Sequence, residues 1–208
     1  MMRSVLFGLI LFLSLPGCSA MAVEEPAFKT ILHEGAFEIR DYPALIVAEV
    51  TVTGAQKEAA SKGFRLLANY IFGGNKRSQK IAMTAPVVQE RTGETIPMTA
   101  PVTQTKKSGA WIVRFIMPSN SSLETLPVPN DPQVQLRALP PASFAVLRFS
   151  GLAQEDDVAA KTAELMNLIK AHHLKSTEEP SLAQYNPPWT LWFMRRNEVM
   201  VPVDQRSN

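Results

Sequence analysis

Two stretches of this chain carry the same succession of patterns. Ala44-Leu45-Ile46-Val47-Ala48-Glu49-Val50-Thr51-Val52-Thr53-Gly54 is apolar and β-branched, closes in Thr-Gly, and leads into a helix-compatible stretch over residues 55–72. Ser143-Phe144-Ala145-Val146-Leu147-Arg148-Phe149-Ser150-Gly151 closes in Ser-Gly and leads into a second, over residues 155–173. Such runs read as strands because branched and aromatic side chains suit a pleated, half-buried surface. Each predicted helix is followed by two strand-like arms. After the first come Lys80 to Val87 and Thr95 to Val102; after the second come Trp189 to Met194 and Glu198 to Val203, joined at Arg195-Arg196-Asn197. Further strands are predicted over residues 28–33, 37–42, 111–117 and 134–139. The pattern specifies an α+β chain, mostly antiparallel, built from two pseudo-symmetric β-α-β-β repeats.

The first pair of arms repeats a phrase. Met83-Thr84-Ala85-Pro86-Val87 returns as Met98-Thr99-Ala100-Pro101-Val102, with the polar, glycine-bearing Glu90-Arg91-Thr92-Gly93-Glu94 between them. A hairpin centred between Thr92 and Gly93 sets Met83 opposite Val102 and Val87 opposite Met98. Strand alternation then places Met83, Ala85, Val87, Met98, Ala100 and Val102 on one apolar face and the threonines and prolines on the other. The prolines imply an edge or a bulge, because they cannot donate to a ladder.

The two helices differ in their local chemistry. Glu155, Asp156 and Asp157 open the second, and Lys170, His172 and His173 close it, matching the helix dipole at both ends. Val158, Thr162, Leu165, Ile169 and His172 form one stripe on it. The first has two apolar ridges, Phe64, Leu67 and Ile71 beside Gly63, Leu66 and Tyr70. A helix apolar on two ridges lies deep in a core or keeps one face for a ligand.

Residues 1–22 read as a leader rather than as part of the fold. Arg3 precedes an uncharged apolar run from Val5 to Leu15, short for a membrane span, that ends in Leu15-Pro16-Gly17-Cys18. This resembles a lipobox, with Cys18 as the lipidated N-terminus; Ala20-Met21-Ala22 offers an alternative A-x-A cleavage site. Ser19 after the cysteine favours the outer membrane, facing the periplasm. Residues 23–208 are then one domain.

Cys18 is the only cysteine, so the exported domain carries no disulfide and no thiolate for metal or nucleophilic chemistry. A net charge of +2 with scattered basic residues argues against a nucleic-acid partner. No nucleophile elbow, paired-histidine zinc motif or phosphate-cradling glycine loop is present, so an enzyme is not expected.

The duplicated Met-Thr-Ala-Pro-Val phrase resembles the haem-binding protein/SOUL family, as does Tyr185-Asn186-Pro187-Pro188-Trp189 followed by Arg195-Arg196-Asn197-Glu198-Val199. The resemblance runs from about Phe28 to Val203. It implies a distorted antiparallel β-barrel or split sheet flanked by two helices, and kinship of fold with bacterial effector-binding domains. It also implies reversible binding of haem or another tetrapyrrole, not needed for folding. The family's site is framed by the first helix and a late loop. Here these supply Lys62, Phe64, Arg65, Leu67 and Ala68, and Tyr185 and Trp189. The family's cationic helix positions are here Ser61 and Asn69, so Lys62 or Arg65 has to meet the propionates from another angle. Of the three histidines, His33 reads as a strand residue and His172 and His173 as a helix end, and Met83 and Met98 read as core filler. The function expected is a non-enzymatic carrier or sensor of haem in the envelope. The alternatives are a module for other apolar small molecules or lipids, and, third, an enzyme acting on tetrapyrroles.

Overall fold

A computed structural model describes residues 23–76 and 93–204. In chain order the elements are β1 (Lys29–Glu34), β2 (Phe37–Tyr42), β3 (Leu45–Val52), α1 (Gln56–Ile71), β4 (Asn75–Lys76), β5 (Val102–Lys107), β6 (Ala110–Ile116), β7 (Val128–Pro129), β8 (Gln135–Leu139), β9 (Ala142–Phe149), α2 (Glu155–Ala171), β10 (Lys175–Ser176), β11 (Ser181–Gln184) and β12 (Asn197–Asp204). The fold is α+β, with one large antiparallel sheet and two helices. The sheet runs β1-β2-β9-β12-β11-β5-β6-β3-β8, with β10 beside β12, while β4 and β7 pair separately. It does not close into a barrel, one of the two forms, barrel or split sheet, that the resemblance implied. Its outer strands, β1 and β8, end the path, and β1 is largely exposed and irregular between Thr30 and Leu32.

Register shows which side chains share a face, because directly paired residues point the same way. Val50 pairs Val113, Val113 pairs Gln104, Gln104 pairs Leu182, Leu182 pairs Val199, and Val199 pairs Leu147. Both helices cover this one face. Leu67, Tyr70 and Ile71 of α1 pack with Val50, Val113 and Phe115, while Leu165 and Ile169 of α2 pack with Leu147, Val199 and Val201. Gly63 sets how closely α1 approaches: a Cβ there would lie 2.6 Å from Val113 Cγ2. The Thr-Gly and Ser-Gly closures both turn through a positive φ, 124° at Gly54 and 120° at Gly151, which favours glycine.

One predicted hairpin is corrected. Trp189 to Met194 is not a strand: residues 192–194 form a short 3₁₀ turn, and both edges of β12 are already taken by β9 and β11. Asn197, expected in a tight turn, is instead buried at the start of β12 and donates to the Gly151 carbonyl at 3.0 Å. Of the repeated phrase, Met83 and the whole first copy lie outside the described residues. In the second copy only Val102 enters a strand, and its partners are Phe115 and Gln184. Residues 95–101 are not a regular strand, so alternation does not govern them. Thr99 is buried, its hydroxyl donating to the Ile116 carbonyl, and Met98 is half-buried against the α1 core.

Candidate functional site

The outer surface of α1 follows from how the helix seats. Ala59, Gly63, Leu67, Tyr70 and Ile71 are buried toward β3 and β6, so the opposite positions face outward. Phe64, Ala68 and Phe72 recur every four residues and form a stripe about 12 Å long at 1.5 Å per residue. Phe64 is 39% exposed and Phe72 61%. Phe64 is held edge-on against Phe115 with 5.3 Å between ring centroids, so a large apolar surface is kept in place at the protein boundary. Arg65, three residues before Ala68, lies beside the stripe, and Lys62 lies one turn before Arg65 and further round the helix, about 160° from Phe64. Both are exposed, and neither joins an ion pair among the described residues. An apolar ledge flanked by two free cations suits an amphipathic, anionic ring compound.

The seven residues expected to frame the site do not all meet. Lys62, Phe64, Arg65 and Ala68 share the outer face of α1. Leu67 is fully buried beneath them and supports the ledge from inside. Trp189 is 82% exposed on the late loop. Tyr185 packs with Tyr42, Phe144 and Met200 on the helix-free face of the sheet. Phe72 was missed in the sequence, where the ridge through Leu67 and Ile71 drew attention to the buried side.

Tyr185 belongs to a buried ionic network with Glu198 at its centre. Arg40 grips that carboxylate through two bonds, Nη1 to Oε2 at 2.8 Å and Nη2 to Oε1 at 3.1 Å. The Tyr185 hydroxyl donates to Oε2 at 2.6 Å and Arg196 Nε donates to Oε1 at 3.0 Å. The Arg196 guanidinium also lies 3.7 Å from the centre of the Tyr185 ring. Burial first, and the Glu198 charge after it, push the Tyr185 hydroxyl well above its ordinary range. Burial opposes the Arg40 charge, but hydrogen bonds to Glu198 and Glu38 outweigh it and leave the guanidinium more strongly protonated. The hydroxyl and the ring of Tyr185 are thus both engaged within the network. Nothing local marks this network, since Arg40 and Glu198 are 158 residues apart.

The same helix-free face holds an apolar hollow of about 80 Å³, lined among others by Tyr42, Leu45, Val47, Ile116, Phe144 and Met200. Pockets for drug-sized ligands run to roughly 300–1,000 Å³, so a tetrapyrrole does not fit it. Two of the three histidines are engaged elsewhere. His33 Nδ1 lies 3.0 Å from Glu38, and His172 stacks on Phe37 and pairs with Glu34 at 3.3 Å. Among the described residues, no group of three or more His, Cys, Asp or Glu is placed to hold a metal ion.

An open antiparallel sheet with both helices on one face defines a class of small α+β domain. Within it, this chain belongs to the SOUL heme-binding protein family, whose model matches residues 23–202. It is 28% identical over 165 residues to "Heme-binding protein 1" of Xenopus tropicalis, covering 79% of this chain and 82% of that protein. The Xenopus laevis counterpart is 27% identical over the same shares. Among solved structures, the chain is similar to the EcmrR C-terminal domain, with a TM-score of 0.57, 10% identity, and 81% and 97% of the two chains covered. It is also similar to a hydrolase from Listeria innocua, with a TM-score of 0.52, 12% identity, and 84% and 94% covered. At such identities the likeness is one of fold alone.

Proposed function

We propose that this protein binds haem or a related tetrapyrrole, reversibly and without catalysis, on the outer face of α1. The observation that carries the reading is the Phe64-Ala68-Phe72 stripe with Arg65, unpaired among the described residues, beside it and Lys62 one turn before Arg65. The ring lies along the stripe, and the two cations meet the propionates from the flank. Trp189 stands at the same end of the sheet as Phe72 and is free to cover the ring edge. Iron, when present, supplies the option of an axial bond, but ring burial alone carries the affinity. The chain is exported by its leader, lipidated at Cys18, and held at the outer membrane facing the periplasm. We also read the outward orders β5-β6-β3 and β11-β12-β9, each half with its own helix, as the two halves of a duplicated β-α-β-β unit.

The hollow on the helix-free face supports a second reading, in which a much smaller apolar molecule is the ligand. Titration with haemin and with the iron-free porphyrin separates the two. Surface binding on α1 predicts similar affinities for both, in the micromolar range or about −8 kcal/mol, weakened by Lys62→Ala/Arg65→Ala. Binding lost with the iron would point to axial ligation, and no binding of either would leave the small-ligand reading.

A further inference from the structure

The late loop has a second property that ring binding does not need. Leu191, Trp192, Phe193 and Met194 are 58%, 60%, 55% and 64% exposed. With Trp189 they make five of the thirteen large apolar side chains exposed among the described residues, gathered within six positions. This is no loosely tethered strand end. Thr190 N donates to the Pro187 carbonyl at 3.0 Å and Met194 N to the Leu191 carbonyl at 2.9 Å. Arg195 ties the loop from behind, with Nε on the Thr190 carbonyl at 2.9 Å and Nη2 on the Pro188 carbonyl. Five of its carbonyls, those of Pro187, Pro188, Thr190, Leu191 and Trp192, thus find donors within the loop, which lowers the cost of contact with a low-dielectric phase.

Register gives the loop's position. Phe149, Asn197, Gln184, Val102 and Phe115 are paired in turn, so they mark one end of the sheet, and the loop projects from it. The N-terminal segment leaves the domain at this same end. Glu24 accepts from the amides of Ala100 and Ser119, and Glu25 pairs with Arg196, two residues after the loop, at 3.0 Å. Cys18 precedes Glu25 by seven residues, a reach of at most about 25 Å, and the apolar run Val5 to Leu15 lies before it. Leu152, 48% exposed, borders the same hollow as Trp192 at the start of α2.

We infer that the loop bearing Leu191, Trp192, Phe193 and Met194 is a bilayer-docking wedge that seats the domain on the membrane to which its own N-terminal segment leads. Indole, phenyl, thioether and isobutyl groups are the side chains that settle at the boundary between headgroups and hydrocarbon. Glu155, Asp156 and Asp157 open α2 at the same end, so the favoured surface carries neutral, zwitterionic headgroups rather than anionic ones. The inference rests on the membrane placement proposed above, and it makes the membrane a contact surface as well as an anchor point.

Tryptophan quenching tests it on the full chain. A variant keeping only Trp192 is compared with one keeping only Trp111, which pairs with Val52 at the far end of the sheet. Each is mixed with phosphatidylcholine vesicles, with and without bromine on the acyl chains. We expect Trp192 emission to fall at least two-fold in the brominated vesicles, Trp111 to stay unchanged, and Phe193→Ser/Met194→Ser to remove the effect. With lipid in excess, Cys18→Ala keeps the quenching if the loop itself inserts. The mass of the N-terminal peptide reports lipidation separately, so loss of the anchor and loss of the wedge are told apart. Equal Trp192 emission in both vesicles would overturn the inference and leave residues 1–22 or a second copy of the chain as the loop's cover.

Discussion

The two helices lie on the same face of one sheet and are built to different standards. The α2 helix is closed at both ends. The Gln154 backbone amide donates to the Asp157 carboxylate at 3.3 Å, three acids sit in the first turn, and Lys170 sits in the last. Its outer side is polar, with Lys161 and Glu164 paired at 2.7 Å. By contrast, α1 starts at Ala55 without a side-chain cap, has no basic residue in its last turn, and leaves aromatic rings and unpaired cations outward. The sheet beneath shows the same contrast. The α2 half is locked by Glu198, fully buried, whereas Glu49 in the α1 half meets Arg114 and a largely exposed Arg137. One half spends its sequence on stability, and the other leaves surface chemistry unsatisfied. Unsatisfied surface chemistry is what a ligand can use.

The largest expected effect is in the locked half. Glu198→Ala strands Arg40 inside the protein and costs about 3–5 kcal/mol. Glu49→Ala costs about 1.5–3 kcal/mol, since water reaches its partners more easily. Denaturant midpoints of the two variants measure the gap, and equal losses would erase the contrast.

The network also sets a pH signature. The Tyr185 hydroxyl is raised in the folded protein, so its stabilisation is fully present below about pH 10, the unfolded value, and is lost as pH rises through the folded one. Glu38 behaves oppositely. Burial raises it, but Arg40 and His33 outweigh that and lower it. Its contribution is therefore present above about pH 4.3, the unfolded value, and is lost as pH falls through the folded one. In Tyr185→Phe the fall in stability from pH 9 to 11 should be visibly shallower than in the parent chain. An identical alkaline limb would mean that the hydroxyl is not held as described.

The smallest effect is at the helix starts. Ala55→Asp should stabilise by about 0.5–1 kcal/mol by giving α1 the cap it lacks, while Gln154→Asp should change little because that end is already served. Thermal melting resolves the difference, and equal gains would show that the two ends are alike.

What was readable in the sequence follows the same divide between local and distant causes. The runs ending at Gly54 and Gly151 and both helices fall within a residue or two of expectation, because periodicity, branching and end charges act locally. Trp189 to Met194 misled because an apolar aromatic run looks like a strand when the ladder is out of sight. The plainer Ser181–Gln184 takes the edge of β12 instead. Arg40 and Glu198 carried no signal, since neither residue's neighbours announce a partner so far along the chain. Phe64 was legible as a candidate. Phe72 was not, because only the seating of α1 shows which side of the helix faces outward.

The central claim is that α1, and not α2, presents the ligand surface. Haemin titration followed by the Soret shift tests it on three chains: the parent, Phe64→Asp, and Ala160→Asp on the exposed side of α2. The account predicts that Phe64→Asp weakens binding at least ten-fold, about 1.4 kcal/mol, while Ala160→Asp matches the parent. Unchanged affinity in Phe64→Asp, with the fold intact by circular dichroism, would contradict it.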